Sequence, residues 1–151
     1  MDIEISMKSI YLASESKARK KILAQLGLKF KILPSRVKER TRRGRLTFSG
    51  LARHNALIKA QDAAKRLKEG IVIAADTITV QDNKIFGKPR DLKSARRMLK
   101  RLSGKPQIMY TGLAVIDAAS GKKRISCERT VVSMDNLSDQ EIAAYFRKTS
   151  P

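Results

Sequence analysis

Residues 71–80, Ile-Val-Ile-Ala-Ala-Asp-Thr-Ile-Thr-Val, are apolar at nearly every position, with Gly70 before them and a Gln81-Asp-Asn-Lys84 turn after. A β-branched run of this kind predicts a strand, central in its sheet and covered on both faces. Phe86-Gly-Lys-Pro89 then brings the chain back as a hairpin and delivers Lys88 beside the strand. Upstream, Ile10-Tyr-Leu12 within residues 6–13 predicts a short strand. It is followed by a helix with Ser14 or Ser16 at its N-cap, an apolar stripe of Ile22, Leu23 and Leu26, and Gly27 as its stop. Residues 29–33 predict a second strand ended by Pro34, and residues 47–69 a long amphipathic helix. Asp91 caps a helix carrying Leu92, Ala95, Leu99 and Leu102, and Ser103-Gly104 ends it. Strands follow at 107–117 and 122–134, and a Ser138-Asp-Gln-Glu141 capping box opens a last helix. The order β, α, β, α, β, β, α, β, β, α predicts an α/β fold, a mixed twisted sheet flanked by helices in one domain spanning 1–151.

Composition narrows the class. The chain of 151 residues is long enough for a core, and its 42% apolar content is ordinary. No apolar run approaches the roughly 20 residues that span a bilayer, so no membrane association is expected. The N-terminus lacks the basic-then-apolar order of a secretory signal, which makes the cytoplasm the expected compartment. The one cysteine, Cys127, can form no internal disulfide, has no His or Cys beside it for a zinc site, and is expected as a buried small apolar residue. His54 is given no role. Net charge is the unusual property: 33 basic against 14 acidic residues leave +19. Such a chain attracts polyanions, whether nucleotides, nucleic acid or acidic surfaces, and many of its cations fall on solvated helix faces. Phe and Tyr total only seven, mostly at core positions, which disfavours an aromatic RNA-stacking platform.

Asp76 stands in the middle of the apolar strand. A carboxylate there costs several kcal/mol unless a cation, a metal or hydrogen bonds compensate it, so it is either a bonded structural group or a functional one. The strand-to-helix turn at Ser14-Glu-Ser-Lys-Ala-Arg19 offers first-turn N–H groups, two hydroxyls and Arg19 to an anion, although an ordinary serine cap with an exposed arginine satisfies the same pattern. Residues 36–45 hold six cations and a single acid, Glu39, which pairs with a neighbouring arginine or joins Asp76 at a metal. Asn55 and Lys59, four apart, share one face of their helix. Cations around phosphates and carboxylates for a divalent metal are what nucleotidyl chemistry asks of a protein.

Eight stretches together resemble the Maf family of nucleoside triphosphate pyrophosphatases, the septum-formation-inhibitor-like proteins. Leu12-Ala-Ser-Glu-Ser-Lys-Ala-Arg19 is similar to the family's Leu-Ala-Ser-x-Ser-Pro-Arg-Arg, and Ser35-Arg-Val-Lys-Glu39 to its acidic segment. Ala74-Ala-Asp-Thr77 resembles Gly-Ala-Asp-Thr, Gly87-Lys-Pro89 is shared, and Leu102-Ser-Gly104, Thr111-Gly112, Arg129-Thr-Val131 and Leu137-Ser138 follow in order.

The resemblance implies a sheet fold of the inosine triphosphate pyrophosphatase kind. It also implies hydrolysis between the α and β phosphates, to monophosphate and pyrophosphate, with Mg or Mn. It implies Asp76 as proton acceptor and metal ligand, Glu39 as its partner in both roles, and Ser14, Ser16, Arg19, Asn55, Lys59, Thr77 and Lys88 as substrate-binding residues. Thr77 favours dTTP and UTP, because the 7-methyl-GTP branch carries Gln there. Ala18 and Lys17 depart from the family's Arg and Pro, and Asn55 from its Lys, for which Lys59 one turn later is a substitute. Family members continue past the position of Pro151, which implies either a C-terminally short chain or a diverged short form, and for the former an open sheet edge with poor stability or a homodimer that covers it. The competing reading is a catalytically impaired nucleotide- or nucleic-acid-binding regulatory protein in division control.

Overall fold

The computed structural model describes residues 8–148; the expected start of the first strand at Ser6 and the chain end at Pro151 lie outside them. Ten elements follow in the predicted order: β1 (Ile10–Leu12), α1 (Lys17–Gln25), β2 (Phe30–Ile32), α2 (Phe48–Ala64), β3 (Ile71–Gln81), β4 (Lys84–Phe86), α3 (Leu92–Leu102), β5 (Gln107–Asp117), β6 (Lys123–Val132) and α4 (Asp139–Lys148). The chain divides into two compact units. One holds the described residues up to Thr77 together with Thr111–Glu128; the other holds Ile78–Tyr110 and the described residues from Arg129 on. Among the described residues no helix is long and apolar enough to cross a membrane.

In the first unit the strand order is β2-β1-β3-β5-β6, with β1 parallel to both β2 and β3. Parallel pairing follows from the helices that separate these strands, each returning the chain to the same end of the sheet. Alanines make the packing close: Ala56, Ala60 and Ala63 of α2 press on Ala13, Val72, Ala74, Ala114 and Ile116 of the sheet. The approach is tightest at Gly112 of β5, where a methyl group would overlap the Ala52 carbonyl and the Arg53 nitrogen of α2. Gly70 enters β3 at φ 119°, a backbone conformation open to glycine, where an added methyl group would meet the Tyr11 ring and the Ser9 carbonyl. Helix α2 stops at Ala64, five residues short of the sequence expectation. There Arg66 N–H bonds Ala63 O and Leu67 N–H bonds Ala64 O, tightening the chain while Leu67 packs on the core. At the far end of β5, the Lys8 ammonium donates to Asp117 and draws its carboxyl down to about 2, helped by the Ser120 hydroxyl and two backbone N–H groups. That depressed value favours the folded state above about pH 4 and loses its effect as pH falls toward 2.

In the second unit β4 returns antiparallel on the end of β3, pairing Thr79 with Phe86 and Gln81 with Lys84. The two-residue turn between them has positive φ at Asp82 and Asn83, a geometry these residues tolerate well. Asp91 and Ser94 close a capping box on α3, and Ser138 and Glu141 close another on α4.

Two expectations are corrected. β3 is central, but only its even positions, Val72 to Val80, are consistently buried; Thr77 on the other side is exposed and Ile71, Ile73 and Thr79 are half-buried. Cys127 is half-buried rather than buried, because β6 lies at the sheet edge with β5 as its one neighbour in the strand order.

Two substitutions test this packing. Gly112→Ala is expected to lower the urea-unfolding free energy by on the order of 3 kcal/mol, since the helix must shift to admit the methyl group; a stability equal to wild type would refute the close approach. Gln81, 4% exposed, buries both polar atoms of its amide without a hydrogen-bond partner. Gln81→Leu removes an unsatisfied amide at similar volume and is expected to raise the unfolding free energy by roughly 1–2 kcal/mol; a fall would show that the amide is satisfied in solution.

Candidate active site

The site grows from one face of α2. Asn55, Lys59 and Asp62 of α2 stand at i, i+4 and i+7, a polar stripe beside the alanine face that meets the sheet, and Arg66 continues it from the turn just past the helix end. Each of the four fastens part of the segment after β2. Arg66 Nη2 donates to Pro34 O at 2.6 Å, and Asp62 accepts from the Arg36 N–H at 2.9 Å while pairing with Arg66 at 3.1 Å. Lys59 Nζ donates to Glu39 Oε1 at 2.7 Å, and Asn55 bonds both the N–H and the C=O of Arg40 at 3.0 Å. The segment from Pro34 to Arg40 therefore runs along the helix, held at three successive turns.

The same stripe holds Asp76. Asn55 Nδ2 donates to Asp76 Oδ2 at 3.0 Å, and Lys59 Nζ lies 3.6 Å from Asp76 Oδ1. Lys59 also donates to the Ala75 carbonyl at 2.9 Å. Sheet geometry explains that last bond. The last bond from β1 to β3 is Ala13 N–H to Ile73 O, after which the chain leaves the sheet at Ser14. Ala75 O, two residues on and pointing the same way, loses its strand partner, and the Lys59 ammonium takes its place. Asp76 is 6% exposed, Lys59 7% and Asn55 1%; Glu39 is the open member, with 43% of its side chain exposed. A buried carboxylate and a buried ammonium are tolerable because each is paired and hydrogen-bonded.

The turn between β1 and α1 is also internally bonded. Ser16 is the N-cap, accepting from the Arg19 N–H at 3.4 Å. Ser14, 8% exposed, accepts from the Ser16 N–H at 3.2 Å and from Arg19 Nη1 at 3.3 Å. Arg19 is thereby laid over the start of the helix, with its guanidinium beside the positive end of the helix dipole. Thr77, exposed, shares a hydrogen bond with Thr111 across to β5, their hydroxyls 3.0 Å apart. Lys88 is exposed in the loop after β4, in the second unit.

The structure thus brings Asp76, Glu39, Lys59 and Asn55 into one cluster and sets Ser14, Ser16 and Arg19 at the β1 exit. Glu39 pairs with Lys59, which also faces Asp76. Asn55 points its amide at Asp76 and the Arg40 peptide, so its donors and acceptor are used within the protein. Three participants were missed from sequence: the Arg40 peptide, the Ala75 carbonyl and Thr111. The polar spacing 55, 59, 62, 66 was the signal for the first, since a stripe of that period beside an alanine face must bind something.

For a divalent cation the donor chemistry fits. Asp76 and Glu39 offer hard carboxylate oxygens on one ammonium, and among the described residues no group of three or more His, Cys, Asp or Glu side chains converges. Two carboxylates suit Mg or Mn, which are held by few protein ligands and complete their shell with water and substrate phosphate.

Comparison with known proteins places this arrangement in a family. The family model described as Maf-like protein matches residues 9–151. A dTTP/UTP pyrophosphatase of Pelotomaculum thermopropionicum is 41% identical over 145 residues, 96% of this chain and 75% of the relative. Proteins of the same name from Methanosarcina barkeri and Ruminiclostridium cellulolyticum are 40% and 38% identical, covering 96% and 93% of this chain and 74% and 73% of their own lengths. With the matched segment running from β1 through α4 and taking in every residue of the Asp76 cluster, the chain belongs to the Maf-like protein family.

Proposed function

We propose that this protein is a nucleoside triphosphate pyrophosphatase acting on dTTP and UTP, the substrates named for its relatives. The observation that carries the reading is the buried Asp76, held by Asn55 at one oxygen and facing Lys59 with the other, with Glu39 on the same ammonium. In the reaction a water oxygen bonds to the α phosphorus and the bond from that phosphorus to the α–β bridging oxygen breaks. Nucleoside monophosphate and pyrophosphate leave. The proton released by the water goes to Asp76 Oδ1, the oxygen that Asn55 does not hold. Ser14, Ser16 and Arg19 bind the phosphates and stabilise charge on the departing pyrophosphate, and Thr77 takes part in binding the nucleotide. A divalent cation, Mg or Mn, held by Asp76 and Glu39, supplies charge neutralisation at the phosphates when bound. A nucleotide substrate fits a cytoplasmic setting.

We also propose a homodimer. The support is β6, an edge strand exposed at most of its positions, with Ile125 and Val131 among its apolar side chains; an unpaired strand edge favours association with another. Sedimentation is expected to report twice the 16.9 kDa chain mass; a monomer at all accessible concentrations overturns it.

The activity is tested by pyrophosphate release from a panel of nucleoside triphosphates with Mg or Mn. Cleavage of dTTP and UTP ahead of the purine nucleotides is expected, and Asp76→Asn is expected to lower kcat by about 10²–10⁴-fold, the usual contribution of a positioned proton acceptor. Full activity in Asp76→Asn, or no turnover of any nucleotide by the wild-type protein, contradicts the proposal.

A further inference from the structure

Asn55 spends its whole side chain inside the protein. Its Oδ1 accepts from the Arg40 N–H, its Nδ2 donates to the Arg40 carbonyl and to Asp76 Oδ2, all at 3.0 Å, and 1% of the residue is exposed. The orientation of the amide is forced, because the Arg40 N–H can only donate and an ionised Asp76 can only accept. Asn55 therefore reads the Arg40 peptide as a strand neighbour would and uses its remaining donor on the reactive carboxylate.

Arg40 lies in the middle of the most basic stretch of the chain, residues 36–45, whose six cations are all exposed. Glu39, the one acid in that stretch, is tied to Lys59, which faces the other oxygen of Asp76. Two adjacent residues of the basic loop are thus each connected to Asp76 through a single side chain of α2.

We propose that Asn55 is a positioning residue that couples the basic loop to Asp76. By holding Oδ2 it leaves Oδ1 as the working oxygen, and by holding Arg40 it makes the loop and the carboxylate order together. A polyphosphate drawn to the loop's cations stabilises the loop conformation in which Arg40 meets Asn55, and so stabilises the aim of Asp76. The proposal rests on Asp76 being the reactive carboxylate for its kinetic consequence, and on geometry alone for the coupling.

The coupling is read by hydrogen exchange of the Arg40 amide in the wild-type protein, Asn55→Ala, Asp76→Ala and the double variant. Asn55→Ala is expected to accelerate that exchange about tenfold or more, and Asp76→Ala to accelerate it as well although Asp76 does not touch Arg40. In the Asn55→Ala background, Asp76→Ala should add nothing. Wild-type exchange at Arg40 in Asp76→Ala overturns the proposal. Asn55→Asp keeps the shape and the acceptor for the Arg40 N–H. It replaces the amide N–H on Asp76 Oδ2 by a carboxyl that must share a proton with Asp76, so Asp76 is no longer held as a free carboxylate. It is expected to keep Arg40 protected and to lose about 100-fold in kcat, the scale of a misplaced reacting group, with KM changed less than about threefold because the phosphate-binding cations remain. A wild-type kcat in Asn55→Asp overturns the positioning role. If the wild-type protein cleaved no triphosphate at all, the exchange cycle would still decide whether the coupling exists.

Discussion

A single buried ammonium organises the working half of this protein. Lys59 Nζ meets Glu39 at 2.7 Å, the Ala75 carbonyl at 2.9 Å and Asp76 at 3.6 Å. Each contact repairs a different defect: an acid in a basic loop, a carbonyl left over where β1 ends, and a carboxylate in an apolar strand. Removing one partner of a buried ion pair costs about 3–5 kcal/mol because the other charge is then left alone. The strand and the helix are therefore coupled by an energy comparable to a good part of a domain's net stability, while the loop's tie through the open Glu39 is weaker. The alanine face of α2 is what lets the ammonium come this close, since bulkier residues at 52, 56 and 60 would hold the helix away from the sheet.

Much of this was legible in the chain. The strand at 71–81, the turn at Asp82-Asn83 and the capping boxes at Asp91 and Ser138 followed from local chemistry, and each acts over a few residues. The end of α2 was not legible, because nothing in Lys65-Arg-Leu67 forbids a helix; it is the packing of Leu67 that tightens the last turn. The exposed side of β3 was obscured for a related reason: Ile71 and Ile73 look buried in sequence, and only the folded chain shows that their face of the strand is partly open.

Within the site, the residues were easier to name than their partners. Asp76 stood out as an expensive carboxylate, and Asn55 and Lys59 as neighbours on a helix face. That Asn55 would turn to a peptide bond and to Asp76, rather than outward, depends on where the chain after Pro34 runs, and only the contacts of Asp62 and Arg66 with that segment fix its path. The net charge of +19 was a poor guide to the site, since its central cation is the one Lys or Arg that is buried among the described residues, while the six of the 36–45 loop face solvent.

Whether this bracket aims Asp76 at a water opposite the α phosphate is tested most directly by running the hydrolysis of dTTP in water enriched in heavy oxygen and locating the label by mass spectrometry. Attack at the α phosphorus places the label in the nucleoside monophosphate and leaves the pyrophosphate unlabelled. Label in the pyrophosphate would mean attack at the β phosphorus, and would contradict the role of Asp76 as proton acceptor for a water attacking the α phosphate.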